Sequence, residues 1–410
     1  MMREAPTRSA ELDAVDPLTR FRTRFAGAED VVVAYLDGNS LGRPVLGVAE
    51  RLAEFVDDAW GRRLIRAWDE TWMDEPSVLG DRLGEVVLGA APGQTVVGDS
   101  TSVLLYKLIR AAVDADSSRT EIVVDRANFP TDRFLLQGIA AERGLALRWL
   151  RPDRAAGVRP SDLAEALSDR TALVVLSHVA YRSGYLADAE AITRMTHDAG
   201  ALILWDLCHS VGSVPMRLDA WGVDLAVGCT YKYLNGGPGS PAFCYVRADL
   251  QHRLRQPIWG WMGADEPFAM GPDYRPASGI RRFLSGTPAI LAMQPMAAML
   301  DLIADAGMPA IREKSVRLTE HAVALCDERL DALGVTLASP RDPDRRGSHV
   351  TIEHPRFEEV CAQLWQRGVI PDFRPPNGIR LGLSPLSTSF AEVELGIEAI
   401  RRVLLDLGRL

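Results

Sequence analysis

Four side chains able to do chemistry together stand within residues 205–246 of the 410-residue chain: the carboxylate of Asp206, the imidazole of His209, the phenol of Tyr231 and the amine of Lys232. A lysine amine forms a Schiff base with a carbonyl compound, and a carboxylate that keeps a pyridine nitrogen protonated turns that ring into an electron sink. Taken singly, each residue has an ordinary reading: Asp206 a helix cap, His209 a satisfied buried histidine, Lys232 a surface charge. Their placement sets the combination apart. Residues 201–205 are short and apolar and follow Ala199-Gly200, which suits a buried parallel strand that stops at Asp206. Open α/β sheets bind ligands at the carboxyl ends of their strands. A second apolar run, 224–229, delivers Tyr231 and Lys232 to a corresponding strand end, and Asn235-Gly236-Gly237-Pro238-Gly239 breaks the chain before a third run at 241–246. Pyridoxal phosphate requires this inventory, with polar groups around its ring oxygen as a third need, and Asp206, His209 and Lys232 fit those roles.

The elements that must position these groups alternate. A strand at 96–99 ends before Ser100-Thr101-Ser102, which opens a helix with Leu104, Leu108, Ala111 and Ala112 on its apolar face. Hydroxyls and free amides at a helix start form an anion site for a phosphate, and N-capping accounts for the hydroxyls equally well. A strand at 121–124 leads into a loop, 125–132, where Phe129 reads either as a ring that lies on a cofactor or as the loop packing common for an aromatic before a proline, and Asp132 as a group that could meet the cofactor's polar edge. A strand at 172–176 ends at Ser177-His178, and a helix over 188–197 leads back to the central stretch. Repeated βαβ units over 95–246 predict a doubly wound, mainly parallel sheet. The chain has neither GxGxxG after a first strand nor GxxxxGK[ST], so dinucleotide and P-loop readings lack their signatures.

Upstream, apolar spacing predicts a helix over 9–26 with Ser9 as its N-cap, a strand at 31–36, a loop at 37–44 and a helix at 45–60. Downstream, a long helical stretch over 289–333 with a break near Gly307-Met308-Pro309 precedes a strand at 349–353, a helix at 358–367, a strand at 379–383 and a closing helix at 390–407. The division expected is an N-terminal segment, 1–60, partly belonging to the small domain; a large domain, 61–288; and a small α+β domain, 289–410. Arg380 stands on a small-domain strand, either as a surface arginine or as a bidentate clamp on a carboxylate.

Composition excludes other classes. A net charge of -9 argues against a nucleic-acid partner, and 47% hydrophobic residues supports a globular protein. The five cysteines, Cys208, Cys229, Cys244, Cys326 and Cys361, lack metal or disulfide spacing and read as reduced, buried thiols. The first residues carry no apolar signal core and no run reaches the ~20 apolar residues of a membrane helix, so a soluble cytoplasmic protein is expected.

With these pieces placed, the chain resembles the kynureninase family of fold-type I pyridoxal-phosphate enzymes, relatives of aspartate aminotransferase and the class V aminotransferases. The resemblance rests on YLDGNSLGRP at 35–44, DSTS at 99–102, NFPTD at 128–132, WDLCHSVG at 205–212, GVDLAVGCTYKYLNGGPG at 222–239, GWMG at 260–263, FLSGTP at 283–288 and GIRLGLSPL at 378–386. It implies that Lys232 holds pyridoxal 5'-phosphate, Asp206 pairs with its ring nitrogen and His209 lies beside it. Thr101, Ser102 and Tyr231 would hold the phosphate. Phe129 would stack on the ring, with Pro130 and Thr131 next to it and Asp132 near the ring oxygen. Trp261 and Thr287 would complete the phosphate site across a homodimer interface. Arg380 would bind the substrate's α-carboxylate, with Asn39 and Ser40 beside the substrate, and Lys232, Tyr231 and Asp206 would be catalytic. The implied reaction is hydrolysis of L-kynurenine, or 3-hydroxykynurenine, to anthranilate, or 3-hydroxyanthranilate, and L-alanine, in tryptophan catabolism and NAD biosynthesis. Alternatives are a related enzyme acting on a modified kynurenine, a class V aminotransferase or cysteine desulfurase, and, last, a non-catalytic pyridoxal-phosphate protein. Ser387 falls where the family commonly has tyrosine.

Overall fold

The structure, a computed structural model, describes residues 7–27 and 31–408. A two-residue strand, β1 (Ala34–Tyr35), precedes the seven strands of the main sheet: β2 (Thr95–Val97), β3 (Glu121–Asp125), β4 (Ala146–Leu150), β5 (Thr171–Ser177), β6 (Leu202–Asp206), β7 (Leu225–Gly228) and β8 (Phe243–Val246). Their order is β2-β8-β7-β6-β5-β3-β4. All pairings are parallel except those of β8, which runs antiparallel to β2 and to β7.

Alternate residues of the central strands enter two different cores. Val123, Val174 and Ile203 join one, while Ile122, Val124, Leu173, Val175 and Leu204 join the other. A strand buried on both faces has no polar alternation, which is why these strands stand out in the sequence as unbroken apolar runs. Helices Thr101–Val113 and Pro130–Arg143 cover one face; Glu75–Leu83, Ala189–Asp198 and Ile290–Ala306 cover the other. At the edge, β4 alternates exposed and half-buried positions, and sequence reading passed over it.

The smaller unit carries β9 (Thr336–Leu337), β10 (His349–Glu353), β11 (Val369–Ile370), β12 (Asp372–Arg374) and β13 (Gly378–Gly382). Four of them form an antiparallel sheet in the order β12-β13-β10-β9, and β11 pairs in parallel with β1, so the N-terminal segment is built into this unit. Helices Phe357–Gln366 and Phe390–Leu407 and the second half of Met308–Arg329 close a separate core over it. The expected break near residue 307 falls at Gly307, whose φ of 78° suits glycine, and the two flanking helices meet at 89°. Among the described residues no single helix is long and apolar enough to cross a membrane.

Several local expectations differ. The first helix is Arg8–Ala14, capped by Thr7, whose Oγ1 accepts from Ala10 N at 3.3 Å; Ser9 instead lies buried, 2.9 Å from His321 Nε2. Pro17 stops that helix, because proline has no N–H to give and crowds the residue before it, and a short turn Thr19–Arg22 follows. The strand expected at 31–36 pairs only over Ala34–Tyr35. Asp132 lies not in a loop but in the first turn of Pro130–Arg143.

Candidate active site

Asp206 closes β6, Ser177 closes β5, and Lys232 stands just past the end of β7, so the carboxyl ends of three adjacent parallel strands meet at one point. A cavity of about 150 Å³ opens there. Thr101 and Ser102 line it from the N-terminus of helix Thr101–Val113, where Ser100 caps and the first amides are free to face an anion. Phe129, Thr131 and Asp132 line it from the start of the next helix, and His209 and Tyr231 from the turns after β6 and β7. Pro130 occupies the first position of its helix and does not line the cavity.

Lys232 differs from the chain's two other lysines. Lys107 Nζ is held by Asp99 Oδ2 at 2.6 Å and by the Phe283 carbonyl at 2.9 Å, and Lys314 by Asp16 at 2.7 Å. Lys232 is buried with no carboxylate in ion-pair range among the described residues; His209 Nε2 lies 3.3 Å from its Nζ. Burial, and then the Lys232 charge, hold His209 well below the usual histidine range, so the imidazole stays neutral. Among the described residues the Lys232 amine is thus the one lysine amine not committed to an ion pair.

Asp206 is fixed from both sides. Its Oδ1 accepts from Cys208 N at 2.8 Å, and its Oδ2 lies 3.3 Å from Ser177 Oγ, which is itself 2.7 Å from Asn128 Oδ1. Sequence reading saw Ser177 only as a strand end; the β5–β6 register, with Ser177 beside Asp206, makes it a positioning residue. Asp132 is buried with its Oδ2 unpartnered among the described residues, and burial followed by the Asp206 charge raises its carboxyl well above the usual range. The Phe129 ring centroid is 5.9 Å from Lys232 Nζ and packs edge-on against Tyr181, a second residue sequence reading missed. Burial raises the Tyr231 phenol, which therefore keeps its proton. Leu105 and Cys208 add unforeseen apolar lining.

Arg380 is no surface arginine, being 1% exposed. Its Nε donates to Asp372 Oδ2 at 2.6 Å and its Nη2 pairs with the same carboxylate; Nη1 donates to the Tyr181 carbonyl at 2.7 Å and Nη2 to Ser40 Oγ at 3.1 Å. Asp372 stands opposite Arg380 in the β12–β13 register. Ser40 and Asn39 reach this place because their loop is pinned at both ends. Gly38 N donates to Gly382 O at 3.2 Å and Gly42 N to Tyr231 O at 2.8 Å. Gly42 must be glycine, since a Cβ there would overlap the Lys232 carbonyl and the Asn235 side chain. Neither Trp261, packed on Trp68 at 5.8 Å, nor the exposed Thr287 lines the cavity of its own chain.

Residues 311–400 match the kynureninase C-terminal domain family. Over 401 residues the chain is 42% identical to the kynureninase of Pseudomonas fluorescens, covering 96% of this chain and 94% of that one. The chain belongs to the kynureninase family. The kynureninase of Burkholderia pseudomallei (strain K96243) is 43% identical over 400 residues, with the same coverage. Among solved structures, a cysteine desulfurase from Thermococcus onnurineus NA1 superposes with a TM-score of 0.82 at 19% identity, covering 98% of this chain and all of that one. The Escherichia coli cysteine desulfurase CsdA gives 0.81 at 17%, covering 96% and 99%. At such identities these two carry the fold alone, the α/β architecture of fold-type I. This member of the kynureninase family is an enzyme in which Thr101, Ser102, Phe129, Thr131, Asp132, Asp206, His209, Tyr231 and Lys232 line one cavity, while Arg380, Asn39 and Ser40 lie outside that lining, in the smaller unit. Among the described residues no group of three or more His, Cys, Asp or Glu side chains is placed to hold a metal ion.

Proposed function

We propose that this enzyme hydrolyses L-kynurenine, and 3-hydroxykynurenine, to anthranilate, or 3-hydroxyanthranilate, and L-alanine with pyridoxal 5'-phosphate as cofactor, in cytoplasmic tryptophan catabolism leading to NAD biosynthesis. The observation that carries the reading is the uncommitted amine of Lys232 in a buried cavity with Asp206. The residues fit the cofactor: a free amine for its aldehyde, a strand-end carboxylate for its ring nitrogen, a helix N-terminus for its phosphate, and an unpartnered Asp132 Oδ2 for its polar edge. When bound, pyridoxal phosphate supplies an electron sink in its protonated ring.

The chain's own groups do the rest. Asp206, held by Cys208 N and Ser177 Oγ, would keep a proton on the pyridine nitrogen. Lys232 Nζ would hold the aldehyde, and its amine would take the proton from the substrate's α-carbon. A neutral His209 beside it adds no competing charge. Arg380 orients the α-carboxylate. Water adds to the γ-ketone, and Tyr231, protonated because it is buried, exchanges protons with that hydrate or with the β-carbon as the bond between β- and γ-carbons breaks. Anthranilate leaves first and alanine after it. A homodimer completes this site. Trp261 and Thr287 lie outside their own chain's cavity, and an apolar groove of about 650 Å³, lined by Leu52, Val56, Ile290 and Leu291, adjoins Asn235 and Gly236 of the lysine loop. Covering such a face with a second copy removes apolar surface from water.

A desulfurase reading would need an accessible cysteine, and all five thiols are buried. Cofactor-loaded protein given L-kynurenine should develop anthranilate fluorescence with one L-alanine per anthranilate, and given L-cysteine should release no sulfide. Sulfide release without anthranilate would sink the proposal.

A further inference from the structure

Two buried polar side chains of the smaller unit, set behind the cavity's His209, have no part in the scheme above, or only an unspecified one. In the antiparallel β10–β13 pair, His349 lies opposite Gly382 and Thr351 opposite Arg380. Opposed residues of such a pair project to the same face, and so do residues two apart along one strand. His349, Arg380 and the bare Cα of Gly382 therefore share a face. Asn39 occupies the space a side chain at Gly382 would need, since a Cβ there would overlap Asn39 Oδ1. Asn39 thus sits beside the His349 imidazole, with Arg380 at the next position along the strand. Toward the cofactor, the His209 ring is 5.7 Å from that of His349, centroid to centroid.

Asn39 and His349 are each fully buried. Among the described residues neither Oδ1 nor Nδ2 of Asn39 has a hydrogen-bond partner, and neither ring nitrogen of His349 makes a well-formed hydrogen bond, the Tyr181 backbone being the one polar group of the chain acting on that ring. Buried polar atoms in folded proteins are nearly always paired, so four unmet ones side by side mark the place of a polar ligand. Its charge is bounded by the surroundings. The Arg380 guanidinium next to them favours an anion and disfavours a cation. Burial, with the charges of Arg380 and Lys232, keeps His349 neutral, which leaves it one N–H to donate, while Asn39 Nδ2 offers two. Donors grouped around an arginine suit a carboxylate.

We propose that His349, together with Asn39, hydrogen-bonds the α-carboxylate of the amino-acid substrate beside Arg380, and that His349 is the residue by which the site tells an amine bearing a carboxylate from one without it. This rests on the reading of the site as one for an amino acid. The test is a titration of cofactor-loaded protein with two ligands, followed in the cofactor's absorbance: L-alanine, and ethylamine, which is alanine without its carboxylate. His349→Leu should raise the alanine Kd about tenfold or more, the loss expected for one hydrogen bond to a charged group, and move the ethylamine Kd less than about twofold. His349→Gln, which keeps a donor and an acceptor, should restore most of the alanine affinity. A residue that merely supported the fold would weaken both ligands together, and parallel shifts, or no shift, would overturn the proposal. If His349→Leu fails to fold, Asn39→Asp gives the same reading by setting a like charge in the pocket: alanine must weaken and ethylamine must not, and equal behaviour refutes. Neither ligand yields anthranilate. A wild type that fails on kynurenine therefore removes the substrate reading, whereas loss of the alanine–ethylamine contrast removes only this one.

Discussion

Replacing Arg380 by lysine tests the substrate class rather than the cofactor, and the structure sets the size of the effect. The guanidinium has five N–H groups. The Nε edge is committed to Asp372, one Nη1 hydrogen to the Tyr181 carbonyl and one Nη2 hydrogen to Ser40 Oγ. What remains for a carboxylate is the second Nη1 hydrogen and the Nη2 hydrogen now lent to Ser40. Those two lie on one planar edge, already oriented by Asp372. A lysine ammonium at the end of a flexible stem can neutralise Asp372 or turn to the substrate, and cannot present two parallel bonds while doing the first. The loss is at least one charged hydrogen bond, roughly 1.5–3 kcal/mol, or about 10- to 150-fold in kcat/KM. The assay is steady-state anthranilate fluorescence on Arg380→Lys at saturating cofactor. A kynurenine analogue without the α-carboxylate serves as control and should be handled equally badly by both proteins. KM should rise while the unliganded cofactor spectrum stays that of the wild type. Full kcat/KM for kynurenine in the variant would refute the reasoning, because the carboxylate would then be held without the small-domain sheet.

Lys232→Ala should leave no cofactor fixed to the chain after borohydride treatment, measured by mass spectrometry; covalent trapping in the variant would transfer the role to Lys107 or Lys314, both of which are salt-bridged. Asp206→Asn should keep cofactor affinity yet lose kcat far more than it changes KM, because a neutral amide does not hold the ring nitrogen protonated. Near-normal kcat there would reduce Asp206 to a structural cap. His178 is fully buried, and burial, then the Arg312 charge, lower it from 6.5 to about 4. A group whose folded pKa is depressed contributes fully above its unfolded value, and that contribution fades as pH falls from 6.5 toward 4. At pH 5 the deficit is about 2 kcal/mol, so His178→Gln should lose about that much less stability than the wild type between pH 7 and pH 5 in urea unfolding. Parallel pH profiles for the two proteins would contradict the assignment.

Much of the fold was legible because its signals are local. Strands β3, β5, β6 and β7 are buried on both faces and therefore read as uninterrupted apolar runs. The helix at Thr101 announces itself by Ser100, and Lys232 by the glycine-rich break that follows it. Even the chemistry of Asp206 and Lys232 follows from residues that end neighbouring strands. The edge strand β4, half exposed, has no such run, and the N-terminal helix hid its stop because apolar spacing continues across Pro17 while the hydrogen bonds do not. The domain division is the other matter that spacing leaves open. Ile311 packs in the large-domain core and Leu318 in the small one, so we place the boundary inside helix Met308–Arg329 rather than at 289.

What only the tertiary structure decided is which distant groups touch. Ser177 steadies Asp206 through the β5–β6 register, Asp372 orients Arg380 through the β12–β13 register, and Asn39 packs on the small-domain sheet only because Gly382 is bare. Such contacts join residues as far apart as Ser40 and Arg380. No periodicity along the chain encodes them. They arise within each sheet as neighbouring strands pair, and the partner of a buried polar group is then set by strand register, not by sequence neighbours.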